Sequence, residues 1–191
     1  MAARDGARAA DRAFATAIAL HERMRLNLGP VTLAAQAMSD ALQAGNKLLV
    51  FGNGGSAGDA QHMASELVGR FERERAAMAA IALTADTSVL TSVANDYSYK
   101  QVFARQVEAL GQPGDVAFGI STSGESPNVV IALQVAKARG LKTVALTGRD
   151  GGSVGRAADI HVNVPDQSSA RVQEVHRTLI HVICEVIEEN L

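Results

Sequence analysis

A doubly wound α/β fold, five parallel strands with helices on both faces, is what this 191-residue sequence predicts. Apolar runs of β-forming residues alternate with helical patterns at the spacing of strand–helix units, which implies a parallel sheet covered on both sides. Three strand ends are rich in Gly, Ser and Thr: Gly52-Asn53-Gly54-Gly55-Ser56, the run from Ser121 to Ser126, and Thr147-Gly148. Ligands of such sheets gather at the carboxyl ends of strands near a topological switch point. The expected architecture is a flavodoxin-like or Rossmann-like sandwich with an N-terminal helical hairpin and a long C-terminal helix.

In chain order, Ala10, Phe14, Ile18 and Met24 among charges predict an amphipathic helix over 7–27, broken at Leu28-Gly29-Pro30. Pro30 opens a second helix over 30–44 that Gly45 stops. A helical hairpin outside an α/β core has to bury its apolar stripe, and a second subunit is one place for it. The first strand is expected at 47–52, a helix capped by Ser56 at 56–71 and a strand at 79–84. Helices follow at 86–95, capped by Asp86, and at 99–110. Strands at 116–121, 143–147 and 160–164 flank a helix at 126–139, and a helix over 168–190 closes the chain. No linker or long repeat appears, so 1–191 reads as one domain, with helices over 1–45 and the α/β core and last helix over 46–191.

Composition narrows the function. A chain that is 47% hydrophobic can bury a substantial core without staples, and a net charge of −2 provides no basic footprint for nucleic acid or an acidic membrane. The single cysteine, Cys184, excludes an internal disulfide and a Cys-based zinc cluster and agrees with a reducing compartment. No apolar run reaches the roughly 20 residues of a membrane span. Residues 1–20, with charges at Arg4, Asp5, Arg8, Asp11 and Arg12, do not form a secretory signal, and the expected location is the cytoplasm.

The stretch from Leu48 to Ser56 reads as a buried strand, a turn almost free of side chains, and a helix start. Free N–H groups and a helix dipole converge there on an anion site. The loop from Ser121 to Ser126 places Ser121, Thr122, Ser123 and Ser126 just before a helix and is the expected phosphate grip, against the plain alternative of a capped turn. No Gly-x-x-x-x-Gly-Lys-Ser/Thr occurs, which disfavours nucleoside triphosphate hydrolysis. Gly52-x-Gly54-x-x-Ala57 fits a loose dinucleotide fingerprint, but the next strand-end acid, Asp86, comes 29 positions after Ala57, where about 20 are expected.

His62 and Glu66, one helical turn apart, share a face, which is either an exposed pair or an acid–base or metal site leaning toward the ligand zone. On the last helix Gln173, His176, Arg177 and His181 recur at steps of three or four among apolar residues. Gln173 and His181 lie about 12 Å apart along an ideal axis, which makes one shared ion hard without distortion or another subunit.

The run from Gly52 to Phe71, with Ala94-Asn95-Asp96, Gly119 to Gly124, Ala145 to Gly148 and Arg171 to His176, resembles the phosphoheptose isomerase branch of the sugar isomerase (SIS) domain family. The resemblance covers nearly the whole chain, and several separate motifs agree in order. It implies a homotetramer, with active sites between subunits, converting sedoheptulose 7-phosphate to D-glycero-D-manno-heptose 7-phosphate. That is the first step of bacterial heptose biosynthesis for lipopolysaccharide or capsule. The family's metal ligands, commonly for zinc (Zn2+), fall on His62, Glu66, Gln173 and His181. Its substrate contacts fall on Asn53, Gly54, Gly55, Glu66, Asn95, Asp96, Ser121, Thr122, Ser123, Ser126 and Gln173.

Moving a carbonyl between C2 and C1 needs a base at the carbon beside it, support for the enediol, and return of the proton. Glu66 is the candidate base and His181 the candidate acid. A carboxylate held on zinc loses basicity, so the two roles of Glu66 compete. Asp96 stands equally as a sugar contact, a ring-opening group or a plain loop residue. The rival reading is a non-catalytic relative that binds the bacterial replication initiator, and that branch is expected to lack counterparts of Glu66 and His181. A sugar-phosphate sensor is the third.

Overall fold

The computed structural model describes residues 2–190. It contains a five-stranded, all-parallel sheet of β1 Leu48–Gly52, β2 Ala80–Ala82, β3 Val116–Ser121, β4 Lys142–Gly148 and β5 Ile160–Val164, in the order β2-β1-β3-β4-β5. After β2 the chain crosses back over β1 to β3, so the switch point lies between β1 and β3. Gly52 pairs with Ile120 and Ser121 with Thr147, which brings the loops after β1, β3 and β4 side by side at one end of the sheet.

The helices are α1 Ala2–Arg25, α2 Gly29–Gln43, α3 Gly55–Val68, α4 Thr87–Asp96, α5 Ala104–Leu110, α6 Pro127–Ala138, α7 Gly152–Ala157 and α8 Ser169–Glu189. Neighbouring residues of a strand feed opposite layers. Leu48, Val50, Phe118 and Leu146 pack with α1, α2, α3 and α8, while Leu49, Phe51, Ala117 and Ala145 pack with α5, α6 and α7. Burial on both faces is why these strands read as continuous apolar runs. α2 buries Val31, Ala34, Ala35 and Met38, whereas α1 buries Leu20 and Met24 and leaves Phe14 and Ile18 exposed.

Several boundaries differ from those the sequence suggests. α3 stops at Val68 because Gly69 ends it, and it is preceded by Gly54 at a positive φ of 56°, so Ser56 is a buried residue of the first turn and caps nothing. The helix expected over 99–110 divides into a 3-10 turn, Tyr99–Gln101, and α5. α7 was not expected, since its sequence Gly-Ser-Val-Gly-Arg-Ala carries two glycines that weaken any helical signal. The Asp86 cap is as expected, with its carboxylate accepting from the N–H of Val89 at 3.0 Å. Among the described residues, no helix is long and apolar enough to cross a membrane.

Candidate active site

In the turn after β1, Gly54 takes a positive φ and Gly52 and Gly55 pack close to their neighbours. A Cβ on Gly52 would stand 2.8 Å from the Ile120 carbonyl oxygen, and one on Gly55 would stand 2.0 Å from Nε2 of Gln173. The chain therefore enters α3 close under α8, and α3 carries His62 and Glu66 against His181 of α8. His62 Nε2 lies 2.7 Å from His181 Nε2 and 3.3 Å from Glu66 Oε1. One donor atom from each of the three falls within 4.8 Å of the others. The ring of Phe71 lies against His181 with centroids 5.5 Å apart. Burial, and then the charge of Arg177, lower the pKa of His62, so this ring is neutral at pH 7.

Two imidazole nitrogens and one carboxylate oxygen suit a first-row divalent ion. Nitrogens bound at about 2.1 Å to a tetrahedral ion stand roughly 3.4 Å apart, so the two rings need to part by about 0.7 Å to take one. Gln173 hydrogen-bonds none of the three. Its amide covers Gly55, and its Nε2 lies 3.4 Å from Oδ2 of Asp59, which leaves Oε1 as the free atom. Asp59 is fully buried and is held mainly by Arg177, whose Nε and guanidinium NH2 lie 2.9 and 2.6 Å from Oδ1. The spacing along α8 that separated Gln173 from His181 in the sequence thus persists, with Gln173 at the first turn of α3 and His181 two turns further on.

The hydroxyl loop combines clustered hydroxyls with local turn capping. Ser126 occupies the N-cap of α6, but its side chain makes no capping bond. Its Oγ lies 2.9 Å from Oγ of Ser121, which is also 3.4 Å from Oγ of Ser123. Ser123 Oγ accepts the N–H of Glu125 at 3.2 Å. Gly124, at a φ of 71°, packs against Gly151, where a Cβ would come within 2.6 Å of backbone. Hydroxyls clustered beside a helix start whose N-cap side chain makes no capping bond are the arrangement an anion needs, although Asn128 Oδ1 takes the N–H of Val129 in that first turn. The main chain of Thr122 backs the end of β4, where a Cβ on Gly148 would meet its carbonyl oxygen at 2.3 Å.

Asn95 and Asp96 end α4 and are exposed, with Asn95 Nδ2 donating to Asp96 Oδ1 at 2.8 Å. Neither hydrogen-bonds a residue of the other two loops. Asn53 does reach outward, to Asn128 and Tyr99. The sequence reading missed four supporting residues. Asp59 had a signal, being three residues before His62 on one helical face. Tyr99, Asn128 and Glu188 had none without the strand order. Arg177 is the partner of buried Asp59, while Arg70 lies at the surface, 3.8 Å from Glu74. Cys184 is buried, and its thiol is pushed up to about 12 by burial.

Residues 13–148 match the family model of the SIS domain. A phosphoheptose isomerase of Geobacter sp. (strain M21) is 56% identical over 152 residues, covering 80% of this chain and 79% of the relative. The solved phosphoheptose isomerase of Neisseria gonorrhoeae superposes with a TM-score of 0.90 at 44% identity, covering 95% of this chain and 98% of that one. That of Francisella tularensis gives 0.92 at 38% identity, covering 96% and 98%. With the paired loops at the switch point and the His62, Glu66 and His181 group beside them, these similarities place the chain in the SIS domain family, among the phosphoheptose isomerases.

Proposed function

We propose that the chain converts sedoheptulose 7-phosphate to D-glycero-D-manno-heptose 7-phosphate through an enediol, as the first step of bacterial heptose synthesis for lipopolysaccharide or capsule. The observation that carries this is the pairing of two groups at one switch point: a hydroxyl-lined helix start after β3 whose N-cap Ser126 makes no side-chain capping bond, and an acid–base cluster between α3, which follows β1, and α8. Ser121, Thr122, Ser123 and Ser126 hold the phosphate. Asn53, Gly54, Gly55, Asn95, Asp96 and Gln173 hold the sugar body. The Glu66 carboxylate takes the proton from the carbon beside the carbonyl and returns it one carbon over, while His181 exchanges protons with the two oxygens.

His62, Glu66 and His181 are the residues that would hold zinc, and Gln173, two turns back along α8 with its Oε1 free, would join them through distortion of the helix or from another subunit. When bound, such an ion polarises the oxygens at C1 and C2. A carboxylate held on such an ion would be a weaker base, so Glu66 would take the substrate proton when free of it. The non-catalytic readings require neither Glu66 nor His181, and the closeness of the two favours the enzyme. We take residues 1–191 as one domain acting in the cytoplasm as a homotetramer, with Phe14 and Ile18 of α1 facing another subunit.

Incubation of purified chain with sedoheptulose 7-phosphate, followed by NMR at the anomeric position, should yield the aldose. Chelation should stop the conversion and zinc restore it. Absence of aldose with zinc supplied would refute the assignment.

A further inference from the structure

Asn53 joins segments that belong to different strands. Its Nδ2 donates to Asn128 Oδ1 at 2.9 Å, and its Oδ1 accepts from Asn128 Nδ2 at 2.8 Å. The orientation of both amides is fixed from outside the pair. Asn128 Oδ1 also accepts the N–H of Val129 at 3.0 Å, so that atom has to be the oxygen and the remaining assignments follow. Asn53 Oδ1 takes a second bond from the Tyr99 hydroxyl at 3.1 Å, which fills both of its lone pairs. One N–H of the Asn53 amide remains, so toward a ligand this side chain is a donor only.

Three segments therefore meet at one amide: the turn after β1, the first turn of α6 behind the hydroxyl loop, and the 3-10 turn that follows Asn95-Asp96. Asn128 is 3% exposed, too deep to reach a substrate, while Tyr99 spends its hydroxyl on Asn53. On the isomerase reading given above, we propose that Asn128 and Tyr99 are positioning residues that set, through Asn53, the gap between the turn holding the sugar and the loop holding the phosphate. A sugar phosphate is gripped at two ends, and the gap decides whether C1 and C2 arrive at Glu66. A misplacement of about 1 Å costs on the order of 100-fold in rate.

The test is a double-mutant cycle on kcat/KM for sedoheptulose 7-phosphate, with melting temperatures measured alongside. Asn53→Ala and Asn128→Ala should each lower kcat/KM about 10- to 100-fold. The double variant should fall no more than about threefold below the worse single, because both changes remove one link. Tyr99→Phe, at a ring 57% exposed, should leave melting unchanged and lower kcat/KM about three- to tenfold, with no further loss once Asn53 is Ala. Losses that multiply, or Asn128→Ala within twofold of wild type, overturn the proposal. Should Asn128→Ala fail to fold, the cycle of Tyr99→Phe with Asn53→Ala decides. A wild-type chain without turnover overturns the isomerase reading and this role with it, whereas an active wild type with multiplying losses overturns the role alone.

Discussion

Glu188, near the end of α8, accepts the N–H groups of Phe71, Glu72 and Arg73 at 3.0, 3.0 and 2.9 Å and Nε of Arg75 at 2.9 Å. Arg75 in turn donates to the carbonyls of Glu66 and Leu67 at 2.7 and 2.9 Å, which closes the end of α3. One carboxylate thus holds the helix end that bears Glu66 and the ring that lies on His181. The two charged side chains are 9% and 3% exposed. Glu188→Ala would strand a guanidinium and three N–H groups; breaking a buried pair costs about 3–5 kcal/mol, and water reaching the loop puts this case near the lower end.

The same site predicts a pH dependence. Burial alone would raise the pKa of Glu188, but the three N–H groups and Arg75 outweigh it and hold the carboxyl at about 2, against an ordinary 4.5. A lowered folded pKa means that the stabilisation is present above pH 4.5 and is lost as pH falls toward 2. At pH 3 that loss amounts to about 2 kcal/mol, from 1.36 kcal/mol per pH unit. Urea unfolding of wild type and Glu188→Gln at pH 6 and pH 3 isolates it, because other titrating groups cancel in the difference. Wild type should lose about 2 kcal/mol more than the variant over that interval. Parallel losses in the two proteins would refute the reasoning.

Gly55→Ala should displace Gln173 and weaken zinc binding about 10- to 100-fold in a competition with a chromogenic chelator, while changing the melting temperature little, since the clash is with a flexible amide. Ser121→Ala removes the hub of the hydroxyl loop and should raise KM for the sugar phosphate about tenfold or more with a smaller change in kcat. Cys184, buried with its thiol at about 12, should resist iodoacetamide at pH 8 in the native chain and react fully in denaturant, as mass spectrometry would read.

The fold was legible because both of its periodicities are local. β3 and β5 stand at the residues their apolar runs marked, and α2, α6 and α8 lie within a residue or so of their caps and stops. What failed was set by neighbours far along the chain. Ser56 looked like a cap, yet close packing of the turn against Ile120 and Gln173 carries the helix start back to Gly55 and buries Ser56. The convergence of His62, Glu66 and His181 followed from matched motifs, and only the packing of α3 on α8 gives it distances. Glu188, Asn128 and Tyr99 stayed hidden because ordinary polar residues acquire their roles from partners 46 to 117 positions away.

The most direct test is the rate of sedoheptulose 7-phosphate isomerisation by wild type and Glu66→Gln, zinc-loaded and equally folded. Turnover by the wild type and a loss of about 100- to 10,000-fold in the variant are expected if the carboxylate moves the proton. A variant within tenfold of wild type would contradict Glu66 as the base, and an inactive wild type would contradict the isomerase itself.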